Sequence, residues 1–256
     1  MVIARYIRPK TLREVNELLQ SERESVLLGG CTLLRRMPRA ASLGIELGGL
    51  GLEAITRENG VLHIGAMATL RDVENTCAGL FDGAFVKAAM PIGGVSLRNV
   101  ITVGGTVAGR LGMSDLLTLL LALDAAVELY GEGRMPLEEY LRRPAHRRII
   151  TGVSVHLNVS RAAFHALRNA SVGQPLLHAA VARTDKSLRV AVGARPAVAA
   201  LSLSAAQCIA RGGTAKEAGH AAAEELSFAD DIRASRAYRR ELCGVLVERA
   251  LEEVGL

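Results

Sequence analysis

Apolar and polar positions along the chain fall into helical and strand rhythms, and their order predicts the elements. Thr11-Leu-Arg-Glu14 has the pattern of a capping box, and Val15, Leu18 and Leu19 follow at helical spacing. Val26-Leu27-Leu28 reads as a short buried strand ended by Gly29-Gly30, and Ile45-Glu-Leu47 as another followed by Gly48-Gly49. Together they predict a small β–α–β unit. Residues 61–65 read as a strand, Thr69 caps a helix through Asp72, and residues 83–90 are helical up to Pro91. Ser114 caps a strongly apolar helix over 115–123, residues 126–130 form a strand, and Gly131-Glu-Gly133 is a turn. Residues 149–157 alternate as a strand with one mainly apolar face. Farther on, strands over 176–182 and 188–192 pair around a turn at Asp185-Lys186. Tyr238, Leu242, Val245, Leu246, Arg249 and Ala250 mark a long amphipathic last helix. The chain divides into pieces 1–52, 53–158 and 159–256, with no repeat and no low-complexity linker, and the fold class is α+β with mixed sheets.

Composition narrows the chemistry. Half of the 256 residues are apolar and 22% are charged, a globular balance. Aromatic residues make up only 3%, with no Trp, too few for a platform that stacks single-stranded nucleic acid. The cysteines, Cys31, Cys77, Cys208 and Cys243, are scattered, which disfavours a Cys-ligated zinc or iron–sulfur site and a disulfide scaffold. Redox chemistry here would need an organic cofactor or a partner's metal. The net charge of +5 is modest, and all but Lys10, Lys87, Lys186 and Lys216 of the 31 basic residues are Arg, which fits scattered solvated charge better than a nucleic-acid surface. The densest basic run, Arg142, Arg143, His146, Arg147 and Arg148, reads as a solvated loop or as a surface for an acidic partner. The first residues lack the apolar core of a signal peptide, and the longest apolar run, 116–127, is broken by Thr118 and Asp124 and is too short to span a bilayer. The chain reads as cytoplasmic, with reduced thiols.

Two glycine segments stand out: Leu28-Gly29-Gly30-Cys31-Thr32-Leu33 directly after a strand, and Thr102-Val103-Gly104-Gly105-Thr106 ahead of the Ser114-capped helix. Paired glycines allow positive φ and turn successive N–H groups towards one point, a nest for phosphate oxygens to which the threonine hydroxyls can add. Either segment alone also suits a plain tight turn. Neither matches G-x-G-x-x-G or a P-loop, so a standard dinucleotide fold and a P-loop NTPase are disfavoured.

These residues carry a resemblance. The chain resembles the FAD-binding medium subunit of the molybdenum hydroxylases, the xanthine dehydrogenase and carbon monoxide dehydrogenase family. Tyr6-Ile-Arg-Pro9 resembles the family's opening, and Leu28-Gly29-Gly30-Cys31-Thr32-Leu33 its first flavin loop, Ala-Gly-Gly-Thr-Asp-Leu. Ile64-Gly-Ala-Met-Ala-Thr-Leu70 is similar to its Ile-Gly-Ala-x-Thr-Thr segment. Leu97-Arg-Asn-Val-Ile-Thr-Val-Gly-Gly105 is similar to Ile-Arg-Asn-x-x-Thr-Ile-Gly-Gly-Asn, the most specific of the segments. Asp231-Ile-Arg-Ala-Ser235 with Tyr238-Arg239-Arg240 resembles the C-terminal signature. The match runs through nearly the whole chain. It implies a two-part FAD-binding domain of the PCMH (vanillyl-alcohol-oxidase-like) type, followed by a C-terminal α+β domain with a small antiparallel sheet and helices.

The resemblance also implies roles. Backbone N–H groups of the Leu28, Gly29, Gly30, Cys31, Thr32, Leu33 loop and of Thr102, Val103, Gly104, Gly105 and Thr106, with Ala108 beyond them, would wrap the FAD diphosphate. Asp115 would accept from a sugar or ribityl hydroxyl, Ile92 would face the isoalloxazine, and Ile149 and Ile150 would lie near the adenine. Plainer readings stand beside these: a first-turn acid for Asp115, core packing for the isoleucines. The implied partners are a molybdopterin-binding large subunit and a [2Fe-2S] small subunit, with NAD+ or another acceptor taking the electrons. The chain departs from the family at Thr106, where Asn is usual, at Cys31 and Thr32 for Thr and Asp, and in residues 108–113, which lack a Ser-Pro pair. Each change removes a side-chain hydrogen bond worth about 0.5–1.5 kcal/mol, and backbone contacts survive. The same departures motivate an alternative, a flavin-free structural or assembly subunit. The six histidines show no H-x-x-x-H or H-E-x-x-H spacing, no Gly-x-Ser-x-Gly elbow occurs, and Glu138-Glu139 and Glu252-Glu253 read as solvated faces.

Overall fold

The computed structural model describes residues 1–36, 40–144, 147–184 and 187–256. Three sheets organise the chain. The first is parallel, with β3 (Ala40–Glu46) between β1 (Val2–Ile7) and β2 (Ser25–Leu28), and α1 (Leu12–Ser21) connects the outer two. Thr11 caps α1 by accepting from the Glu14 amide at 3.2 Å, while the Glu14 carboxylate reaches one residue past the cap, to the Lys10 amide at 2.9 Å. Strand β1 is not legible as a strand, because it is an edge strand with no buried residue.

The second sheet is antiparallel, in the order β4 (Ile55–Glu58), β5 (Val61–Gly65), β8 (Ile150–His156), β6 (Ala126–Leu129), β7 (Gly133–Pro136). Between β5 and β6 the chain forms α2 (Leu70–Thr76), α3 (Ala84–Ala89), α4 (Val95–Arg98), α5 (Val103–Gly109) and α6 (Asp115–Ala122), and α7 (Leu137–Arg142) follows β7. Thr69 and Asp72 complete a reciprocal capping box on α2. The third sheet, β12 (Ala200–Leu201), β11 (Leu188–Gly193), β10 (Leu177–Arg183), β9 (Arg161–Leu167), is antiparallel and carries α8 (Leu203–Ala210), α9 (Ala215–Glu225) and α10 (Arg236–Glu253). The architecture is α+β.

The third sheet is buried on both faces. Ala162, Phe164, Ala180, Ala182 and Ala191 join the core around α6, while the alternate Ala163, Ala179, Val181, Val190 and Val192 join the core under α9 and α10. Every residue of α6 is buried, so this helix has no solvent face. A two-residue period therefore gives each strand two apolar surfaces, and α6 ties the second lobe to the third.

Two expectations are corrected. The second glycine segment is not a turn: Thr102 is the N-cap of α5, and Gly104 and Gly105 lie inside that helix. On α10, Tyr238 and Val245 are 47% and 40% exposed, and the inward face is Arg239, Leu242, Cys243, Leu246, Val247, Ala250 and Leu251. Hydropathy misplaced this face because an arginine sits inside it. Helices α8 and α9 were also missed, since their alanines give little contrast between faces. Asp185-Lys186, the expected turn, and His146 lie outside the described residues.

Candidate functional site

A cleft of about 560 Å³ opens where the three lobes meet. The loop leaving β2 forms its first wall. Gly29 and Gly30 do not take positive φ there; the left-handed residue is Cys31, at φ 56°. Glycine is required at position 30 for a different reason, because an added Cβ would fall inside the radius of the Val100 carbonyl oxygen. The backbone at Gly30 thus presses against that of Val100 and Ile101, and Gly29 against the Thr102 side chain. The consequence is chemical: the amides of Gly30, Cys31, Thr32 and Leu33 find no acceptor among the described residues, and all four residues line the cleft. Four consecutive N–H groups without an internal acceptor in a concave wall are the kind of donor set an anion nest is built from. Cys31 itself donates to the Gly29 carbonyl at 3.2 Å, and partial shielding of the sulfur from water, then the negative charge of Glu46, pushes its thiol pKa up.

The second glycine segment behaves differently. The Val103 amide donates to Ala68 O at 2.9 Å, Gly104 to Ala66 O at 2.8 Å, Gly105 to Thr102 Oγ1 at 3.1 Å and Thr106 to Thr102 O at 2.9 Å. Thr106 Oγ1 also turns back to Thr102 O, at 3.0 Å. These amides are consumed inside the chain, which corrects the expectation that they form a second nest. Gly104 is instead a close-approach residue, since a Cβ there would sit 2.7 Å from Ala66 Cβ. Thr102, Gly104, Gly105, Thr106 and Ala108 still line the cleft.

Asp115 lies at the start of α6, where Ser114 Oγ accepts from the Leu117 amide at 3.3 Å. It is 2% exposed and its Oδ1 is already engaged, by Arg168 Nη2 at 2.6 Å and His178 Nδ1 at 2.7 Å. Ile92 and Ile150 contribute to an apolar wall with Met67, Leu97 and Ile101. Three expected residues stay behind the surface. Leu28 and Val103 are buried without lining the cleft, and Ile149 packs with Val15, Leu19 and Leu43 in the N-terminal core. Sequence reading missed Arg148 and Gly173-Gln174-Pro175 as lining residues. Arg148 is ion-paired with Glu132 at 3.0 Å, and the 173–175 segment carries no local signal. The basic run around it is largely spent within the chain: Arg142 pairs with Glu138 and Arg143 with Glu139, while Arg147 Nη2 binds Leu19 O at 2.8 Å and Ser25 Oγ at 2.7 Å.

Family comparison agrees with this geometry. The model for the FAD-binding domain of molybdopterin dehydrogenases matches residues 2–156, and that for the CO dehydrogenase flavoprotein C-terminal domain matches residues 162–254. The chain belongs to this family. The uncharacterized protein YgfM of Escherichia coli (strain K12) is 32% identical over 96% of the chain and 94% of its own length. The nicotinate dehydrogenase FAD-subunit of Eubacterium barkeri is 30% identical, but over 48% of the chain and 45% of that subunit. In structure, carbon monoxide dehydrogenase from Hydrogenophaga pseudoflava superposes with a TM-score of 0.86 at 23% identity, covering 98% of this chain and 96% of that one. The shared architecture is the two-part FAD-binding domain with its C-terminal antiparallel-sheet domain.

FAD is the cofactor of this family, and the cleft fits it. A diphosphate calls for free donors, and the 30–33 amides have no acceptor within the chain's described residues; a flat ring calls for an apolar wall, and Ile92, Leu97 and Ile101 line the cleft. Among the described residues no group of three His, Cys, Asp or Glu is placed to hold a metal ion, and no helix is long and apolar enough to cross a membrane.

Proposed function

We propose that this protein is the FAD-carrying, electron-transferring subunit of a molybdenum hydroxylase, assembled with a molybdopterin-binding large subunit and a [2Fe-2S] small subunit. NAD+ or another acceptor would take the electrons from the complex. The observation that carries the reading is the row of four amides without an acceptor among the described residues, Gly30 to Leu33, on residues that line the cleft of a chain that the family models cover almost end to end. When bound, FAD supplies the ability to exchange electrons one or two at a time. The chain's own residues bind and orient. The 30–33 amides take the diphosphate, Ile92 faces the isoalloxazine, and Ile150 lies on the adenine side. Asp115, with Oδ1 engaged, offers Oδ2 to a ribityl or sugar hydroxyl. Thr102, Gly104, Gly105, Thr106 and Ala108 shape the wall, and Leu28, Val103 and Ile149 support it from behind. The four free cysteines are consistent with a cytoplasmic, reducing setting.

Titration of FAD into the flavin-free protein tests this. One FAD per chain should bind, with a bound-flavin absorbance spectrum. A correctly folded protein that ignores FAD would refute the assignment. A flavin-free assembly subunit is favoured by one observation, the diversion of Thr106 and the 103–106 amides into the chain. An isolated complex containing this chain at full stoichiometry but no FAD would support that second reading.

A further inference from the structure

The connection between β9 and β10 is longer than its geometry demands. Leu167 and Leu177 are paired across the hairpin, so residues 168–176 bridge a gap that roughly two to five residues usually close. The surplus is not free. Gly173, Gln174 and Pro175 form the cleft wall contributed by the C-terminal lobe. Three arginines hold this strap. Arg168 Nη1 donates to Gly173 O at 2.8 Å, Arg233 Nη1 donates to Gln174 Oε1, and Arg239 Nε donates to Leu176 O at 2.9 Å. Each arginine is in turn seated on an acid: Arg233 and Arg239 on Asp231, Arg168 on Asp115.

Arg168 differs from the other two because its acid belongs to the cleft. Its side chain is only 7% exposed and bridges two lobes, with Nη2 on Asp115 at the start of α6 and Nη1 on the strap. His178, fully buried, makes the second contact to Asp115 Oδ1 and reaches Thr118 Oγ1 at 2.9 Å through its other nitrogen. A buried guanidinium is tolerated only when its donors are satisfied, so removing either acceptor disturbs the other.

We propose that Arg168 is a positioning residue for the flavin site: a two-ended strut that keeps the 169–175 strap against the cleft and holds the Asp115 carboxylate with Oδ2 available. This rests on the flavin reading above. The strap forms a wall of the cleft, so FAD leaves when it lifts, and Arg168 sets how often it lifts. Lysine at this position offers one ammonium and reaches Asp115 or Gly173 O, not both.

The experiment loads the full-length wild type, Arg168→Met and Arg168→Lys with FAD and follows release by the return of flavin fluorescence. Iodide quenching of the bound flavin and thermal unfolding of the flavin-free proteins are measured alongside. Arg168→Met should release FAD roughly tenfold faster, the equivalent of one charge-assisted hydrogen bond, and its bound flavin should be more accessible to iodide. Arg168→Lys should fall between it and wild type. Should Arg168→Met fail to fold, Arg168→Lys decides alone. Wild-type release and quenching in a folded variant, with only its unfolding temperature lowered, would make Arg168 a structural residue and overturn the proposal. Failure of the wild type itself to bind FAD would overturn the flavin reading, and this inference with it.

Discussion

At the scale of single residues, the glycines of the cleft are sites of close approach and respond to substitution differently from a glycine elsewhere on the surface. Gly30 and Gly104 are sites of contact between backbones, whereas Gly79 faces open space with an ordinary backbone. Gly30→Ala should cost about 2–4 kcal/mol and abolish the amide nest, and Gly104→Ala about 1–3 kcal/mol, while Gly79→Ala should be neutral. Thermal unfolding with parallel FAD titration checks all three. Cys31 carries the positive φ that its glycine neighbours do not. Cys31→Gly should therefore stabilise the loop by about 1 kcal/mol, read from the unfolding midpoint. The desolvation and the Glu46 charge that raise the Cys31 pKa lower its thiolate fraction. Its alkylation by iodoacetamide should accordingly be slower than that of a free thiol at pH 8 and should climb only at higher pH.

At the scale of elements, α10 depends on a buried cation. Arg239 spreads its donors over Leu176 O, Ala229 O at 2.6 Å, Ala234 O at 3.1 Å and Asp231 Oδ1 at 2.7 Å. Arg239→Met takes this donor away from Leu176 O and Ala229 O and strips the Asp231 carboxylate of one of its two cations, and should cost about 3–5 kcal/mol, measurable by urea unfolding. Burial on its own would raise the Asp231 pKa, but hydrogen bonds from Arg233 and Arg239 and from the Arg233 and Ala234 amides overcome it and hold the carboxyl well below its usual range. A folded-state pKa that is depressed contributes stability above the unfolded value of about 3.9 and loses it as the pH falls towards the folded value. Acid unfolding of the C-terminal lobe should therefore steepen below about pH 4, and Asp231→Asn should flatten that limb while lowering stability at neutral pH.

At the scale of the whole molecule, the second and C-terminal lobes share a core, while the first lobe has its own. Helix α6 packs against the C-terminal sheet with one side and against the second lobe with the other, and Arg161 Nε to Asp82 Oδ2 at 2.9 Å and Lys87 Nζ to Glu253 Oε1 add polar contacts at the seam. Leu120→Ala should cost about 2–5 kcal/mol and lower one common transition rather than split it, as calorimetry can show. The cleft belongs to this scale too, since its walls come from β2, α5 and the β9–β10 strap.

Local signals in the sequence suffice for the helices whose caps precede a clear apolar pattern, α1, α2 and α6, and for strands β2, β5, β6, β8, β10 and β11; the caps of α5, α8 and α9 stand before glycine- and alanine-rich segments with little contrast between faces. Thr69 with Asp72, Ser114 ahead of α6 and Gly29-Gly30 after β2 act within a few residues, and such interactions form wherever the chain places them. The family signature around 97–105 likewise needed no coordinates. Tertiary structure alone decided which amides stay free, because that depends on acceptors far away in sequence: Ala66 and Ala68 take those of Gly104 and Val103, and nothing among the described residues takes those of 30–33. It also decided that Arg239 points inward and that Arg168 joins Asp115 to Gly173. Hydropathy ranks an arginine by its side chain. Whether it is buried is settled by the carbonyls and carboxylates that the fold brings within about 3 Å of its donors.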